Sequence, residues 1–144
     1  MTEAENTALI RRFYEEVWQR GNVGVADEVF ADQYERHDFR EGEPTAGPEG
    51  QKQIAGAFRA AFPDLSWQID FILADDEFVV GRWTASGTHL GAWAGVDATG
   101  KPMRFSGINV FRFKDGKVVE IWNHRDDLGL IQQLGAPVYA AVPE

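Results

Sequence analysis

MRFSGINVFRFKDGKVVEIWNHRDD, residues 103–127, decides the fold. Two runs rich in β-branched and aromatic residues flank Asp115-Gly116, a strong two-residue hairpin signal. With that turn Lys114 pairs with Lys117. An unbroken ladder then sets Asn109 opposite Trp122, Gly107 opposite His124 and Phe105 opposite Asp126. One hairpin face therefore gathers Phe105, Asn109, Phe111, Trp122, His124 and Asp126. The other carries Ile108, Val110, Val119 and Ile121, flanked by Arg112 and Arg125. A bulge or a longer turn would shift this register and exchange some of these positions.

Upstream of the hairpin the same period of two continues. Trp67, Ile69, Phe71 and Leu73 alternate with Gln68 and Asp70, Asp75-Asp76 mark a turn, and Phe78 to His89 reads as the next strand. Residues 92–102 (AWAGVDATGKP) read as a loop joining two long strands. Before Trp67 the period is helical. Thr2 with Glu5 forms a capping box, and Leu9, Ile10, Phe13, Tyr14, Val17 and Trp18 recur at helical spacing up to Gly21. A short helical turn with Val25, Val29 and Phe30 follows, then an extended piece around Tyr34 to Phe39 and a polar loop from Arg40 to Gly47. Pro48 opens a second long helix whose stripe is Ile54, Ala57, Phe58, Ala61 and Phe62, closed by Pro63. Beyond the hairpin, Asp126 or Asp127 caps a last short helix that Gly135 ends. The reading is one α+β domain over residues 1–144, with helices first and then a curved antiparallel or mixed sheet.

Composition narrows the function. The chain has 144 residues, 44% hydrophobic and 26% charged, enough to bury a sizeable core. A formal charge of −9 repels phosphate backbones and anionic membranes, so nucleic acid and membrane surfaces are not expected partners. No apolar run approaches a bilayer span and the N-terminus lacks a signal peptide's pattern, which makes the cytoplasm the expected compartment. With no cysteine, thiol nucleophiles, disulfides and zinc-thiolate sites are excluded.

The aromatic hairpin face with Asn109, His124 and Asp126 embedded has the character of a ligand cavity, in which apolar walls bind and a few polar groups orient and react. A carboxyl beside aromatic walls is desolvated toward a proton-transfer pKa, and a neighbouring imidazole can relay the proton. Asp126 and His124 are the candidate catalytic pair. Against this, Asp126 equally suits a helix cap and His124 a rim position. Trp122, Asn109, Phe105, Phe111, Trp83, Tyr14 and Trp18 are the candidate binding wall, with His37 at a pocket mouth and His89 either entering the cavity or holding the loop after it. The three histidines have no HxxxH or HxH spacing, so no metal and no cofactor is expected. A GxSxG nucleophile turn and a P-loop are both absent.

The ordered set AAFPDL (60–65), GTHLG (87–91), TGK (99–101), DGKVVEIW (115–122), Asp126 and QQLG (132–135) resembles the SnoaL-like polyketide cyclases, a branch of the NTF2-like superfamily, from about Leu9 to Gly135. The resemblance implies a cone-shaped α+β barrel with helices packed on a curved sheet around a deep pocket, commonly dimeric. It also implies a cofactor-independent, intramolecular aldol-type closure of a polyketide ester by an Asp general acid/base, which here is Asp126. His37 and His89 match pocket positions of the family. Asn123-His124-Arg125 between Trp122 and Asp126 departs from its pattern, where apolar residues are frequent. The expected function is a cyclase or related lyase/isomerase acting on a small, largely apolar carbonyl compound. The alternatives are a non-enzymatic ligand-binding or dimeric scaffold domain, and an epoxide hydrolase or steroid-isomerase-like enzyme in the same cone. The second aliphatic hairpin face is the expected homodimer surface.

Overall fold

The computed structural model describes residues 2–37 and 47–136. The expected polar loop 40–46 and the end of the extended piece, Asp38 and Phe39, lie outside the described residues. Helix α1 (Glu3–Arg12) starts where Thr2 Oγ1 accepts from Glu5 N at 3.1 Å. It runs on into a wider, π-type stretch, Phe13–Gln19. Together they turn Ile10, Phe13, Tyr14, Val17 and Trp18 to one buried side. A 3₁₀ turn (Val23–Val25) and the short α2 (Ala26–Val29) lead into β1 (Phe30–His37). Helix α3 (Pro48–Ala61) has its proline in the first turn, where the missing N–H costs nothing. Strands β2 (Ser66–Ala74), β3 (Phe78–Thr88), β4 (Pro102–Lys114) and β5 (Lys117–Arg125) follow, and Asp126 caps α4 (Asp127–Gln133).

The strands form one open, curved sheet in the order β1-β5-β4-β3-β2. Only β1 and β5 are parallel and the other three pairings are antiparallel, so the sheet is mixed, within the antiparallel or mixed sheet expected. The helices cover its inner face, and the core lies between. Two glycines make that contact close. A Cβ on Gly81 would sit 2.3 Å from the Tyr14 hydroxyl oxygen, and one on Gly107 would sit 2.4 Å from the Trp83 ring. Each is a notch in the inner face into which a large ring settles.

The β4–β5 hairpin corrects the expected register. Asp115 and Gly116 take positive φ, and Lys114 does pair with Lys117. Phe113 then pairs with Val118, but Arg112 pairs with Glu120, so Val119 is an extra residue bulging out of β5. Beyond it every partner moves by one. Val110 faces Trp122, Asn109 faces Asn123, Ile108 faces His124 and Gly107 faces Arg125. The bulge has a clear physical cause. An unbroken ladder would set the Glu120 carboxylate opposite Phe111, which is fully buried, whereas the bulge puts Ile121 there and leaves Glu120 outside. Ile121 and Arg125 therefore belong to the inner face, and Trp122, His124 and Asp126 do not share a face with Asn109 and Phe105.

Candidate ligand cavity

The inner face encloses a cavity between α1, α3 and the sheet. Its apolar wall is Phe13, Trp18, Ile54, Phe58, Trp67, Trp83, Phe105 and Ile121, and its polar lining is Arg36, Gln51, Asn109, Asn123 and Arg125. The void, open mouth included, is about 410 Å³. Aromatic rings crowd it. Trp67 stacks between Trp18 (centroids 4.6 Å apart) and Trp83 (4.0 Å), and Phe105 meets Trp83 edge-on at 5.3 Å.

Polar groups are threaded through this aromatic wall in one chain. Trp83 Nε1 donates to Asn109 Oδ1 at 2.9 Å, and the Tyr14 hydroxyl donates to the same oxygen at 2.8 Å. Asn109 Nδ2 donates to Asn123 Oδ1 at 2.7 Å. Burial pushes the Tyr14 hydroxyl pKa up, which keeps its proton in place for that donation. Arg125 lies with its guanidinium carbon 4.7 Å above the Phe58 ring centroid. Asp127 grips it from behind, Nε to Oδ1 at 3.0 Å and Nη2 to Oδ2 at 3.1 Å. Gln51 is buried and donates to the Tyr34 hydroxyl, itself raised in pKa chiefly by burial.

Of the residues nominated from sequence, Asn109, Phe105, Trp83 and Trp18 line this cavity. Tyr14 and Phe111 are fully buried behind it, Tyr14 as the second donor to Asn109. His89 is buried elsewhere. Its Nδ1 accepts from Thr99 N at 3.1 Å, so it holds the 92–101 loop, the structural alternative weighed from sequence. His37 stacks on Trp122 on the outer face and reaches Glu120 at 2.7 Å. His124 and Asp126 are exposed. The Asp126 carboxylate accepts from Gly129 N at 2.9 Å as the α4 cap and borders an outer depression of about 530 Å³, open mouth included, with Arg82, Thr84, Arg104, Phe105 and Ser106. Cavity and nominated acid are on opposite sides of the sheet.

Sequence reasoning missed Asn123, Arg125, Arg36, Gln51, Trp67 and Phe58 as lining residues. For Asn123 and Arg125 a signal existed, since an unbroken β5 ladder sets the Glu120 carboxylate opposite Phe111, an apolar face position. Among the described residues, the donor atoms of Glu35, His37 and Glu120 lie close enough together to share a metal ion. The Arg112 guanidinium already occupies Glu120 at 2.7 Å, and this contact holds the carboxyl below its usual pKa, with His37 adding to the effect.

The fold and cavity are those of a helix-covered curved sheet that encloses a small-molecule site. A profile of the SnoaL-like polyketide cyclase family matches residues 8–134, and the chain belongs to that family. TsrD from Streptomyces laurentii has a similar structure, with TM-score 0.86 and 26% identity over 95% of this chain and 99% of that one. A candidate polyketide cyclase from Acidithiobacillus ferrooxidans is 32% identical over 91% of this chain and 94% of that one, with TM-score 0.77. IdmH, a candidate polyketide cyclase from Streptomyces antibioticus, is 28% identical over 91% and 99%, with TM-score 0.75. No curated protein sequence matches the chain. No helix among the described residues is long and apolar enough to cross a membrane.

Proposed function

We propose that the aromatic cavity binds a small, largely apolar carbonyl compound and promotes a cyclase-type carbon–carbon closure by stabilising its enolate. The observation that carries this reading is the fixed donor set on the inner face. Asn123 and Arg125 present N–H groups beside stacked indoles, as oxyanion stabilisation in a water-poor site requires. A methylene between two carbonyls is already acidic, so the stabilised oxygen carries most of the demand and the proton can leave to solvent at the mouth. Asp126, on the outer face, serves as the α4 cap in this reading.

The test is turnover of a β-polyketone ester by the parent and two variants. Arg125→Gln is expected to lower kcat by about two orders of magnitude, as loss of an oxyanion donor does, and Asp126→Asn to leave it within about twofold. The opposite ranking would return the acid/base role to Asp126. One observation favours a second reading, non-enzymatic ligand binding: no carboxylate or imidazole is among the described lining residues. Saturable binding with no turnover in either protein would select it.

We propose also that the outer sheet face pairs with a second copy. Phe71, Leu73 and Ile108 are 45%, 62% and 41% exposed there, next to Val80, Val110 and Trp122. Ile108→Asp is expected to shift sedimentation from dimer to monomer. A parent that sediments as a monomer at micromolar concentration would refute the pairing.

A further inference from the structure

The direction of the cavity's hydrogen bonds says what its ligand must bring. An indole N–H can only donate, so Trp83 obliges the atom of Asn109 facing it to be the carbonyl oxygen. The Asn109 amide is thereby oriented, its Nδ2 turned to Asn123, and Asn123 must answer with Oδ1. Both amides are locked in sequence by one ring. Asn123 is left with its Nδ2, two N–H donors, to offer the cavity it lines.

The neighbouring groups have the same polarity. Arg125 uses Nε and Nη2 on Asp127, which leaves the Nη1 edge of a held guanidinium, and Arg36 adds a second cationic side chain to the lining. Trp67, 9% exposed, has a buried Nε1 donor with no acceptor among the described residues, and the ring itself lines the cavity. A buried N–H left without an acceptor is costly, so it favours a ligand atom that accepts from it. Among the described residues, the charged side chains that line this cavity are Arg36 and Arg125, in a chain of formal charge −9.

We infer that the cavity selects a flat, unsaturated ligand that carries an anionic oxygen group, a carboxylate or an ionised enol, seated on Asn123 and Arg125 with its apolar body against Trp67 and Trp83. This rests on the reading of the cavity as the ligand site and adds its charge class. A neutral ester of the same shape keeps the stacking but gives up the charge-assisted bonds to a guanidinium, which are roughly twice as strong as neutral ones.

The experiment compares 2-naphthoate with methyl 2-naphthoate by titration calorimetry on the full chain, and follows the Trp67 indole N–H by NMR to locate binding. The carboxylate is expected to bind at least about tenfold more tightly than the ester and to shift the Trp67 N–H resonance. Asn123→Asp, which replaces the free amide donor with a carboxylate, is expected to weaken naphthoate by about tenfold or more and the ester by clearly less. If ester and acid both move the Trp67 resonance and bind equally, the cavity reading stands and the anion inference falls. If neither perturbs Trp67, both fall together. The comparison of the two ligands on the parent protein decides the matter even where the variant fails to fold.

Discussion

The two faces of the sheet use the same strands for opposite purposes. Inside, β3, β4 and β5 present Trp83, Phe105, Asn109, Ile121, Asn123 and Arg125, where each polar atom is placed by a neighbour. Outside, the same strands present an ion-pair lattice around Arg82–Asp70 and Arg112–Glu120–His37, with exposed apolar residues between. The inner network is short, buried and directional. The outer one is partly solvated, and pairs of that kind contribute about 0–1 kcal/mol each. The imidazoles of His37 and His124 and the carboxylates of Asp126 and Glu120 are all on the outer side, and among the described residues the cavity side is made of amides, guanidinium groups and rings. Residue types usually associated with proton transfer are thus gathered on the side away from the cavity.

The contrast can be broken most severely from within. Asn109→Leu keeps the volume but strands the Trp83 N–H and the Tyr14 hydroxyl together, and each should cost about 1–3 kcal/mol in denaturant unfolding. An outcome near zero would mean that neither bond matters to the fold. Gly81→Ala forces a methyl against the Tyr14 hydroxyl and should destabilise by about 1–3 kcal/mol, whereas Gly24→Ala, with open space around its Cβ site, should not. On the outer face Asp126→Ala removes the bond to Gly129 N and should cost about 1 kcal/mol in thermal stability. A loss of several kcal/mol would show Asp126 to be part of the core machinery after all.

The smallest effect is a matter of pH. Arg112 and then His37 hold the Glu120 carboxyl below its ordinary value of 4.5, so its contribution to stability is complete above that pH and is lost as pH falls through the lower folded value. Asp64, lowered from 3.8 by the backbone and hydroxyl of Thr88, behaves the same way. Glu120→Gln should therefore flatten the acid limb of the stability profile below about pH 4.5 and leave neutral-pH hydrogen exchange of the inner face unchanged. Equal acid sensitivity in parent and variant would remove Glu120 from the account.

Most of the fold was legible because its signals are local. Thr2 and Glu5, Pro48, Asp75-Asp76, Asp115-Gly116 and Asp126 each act within a few residues, and the structure uses all of them. The parallel pairing of β1 with β5 joins segments far apart in sequence and left no local mark. The aromatic wall was legible in Trp18, Trp83, Phe105 and Asn109, since these are apolar-face positions on strands and helix that no register change on β5 disturbs. Asn123 and Arg125 were misplaced for one reason. The pairing was carried through Val119 as though β5 were regular, and past that residue each β5 side chain was assigned to the wrong side of the sheet. The burial cost of Glu120 opposite Phe111 was available in the sequence and argues for the bulge.

The stack of Trp18, Trp67 and Trp83 has an optical consequence. Three indoles held nearly parallel, with centroids 4.6 and 4.0 Å apart, bring their transition dipoles close enough to share excitation. Trp93 and Trp122 lie against phenylalanine and histidine rings instead. The near-ultraviolet circular dichroism of the folded chain should thus carry an exciton couplet that Trp67→Phe abolishes and Trp122→Phe leaves intact. A couplet that survives Trp67→Phe would contradict this assignment. A ligand that parted the rings would collapse that couplet and so report its own occupancy in an unlabelled protein.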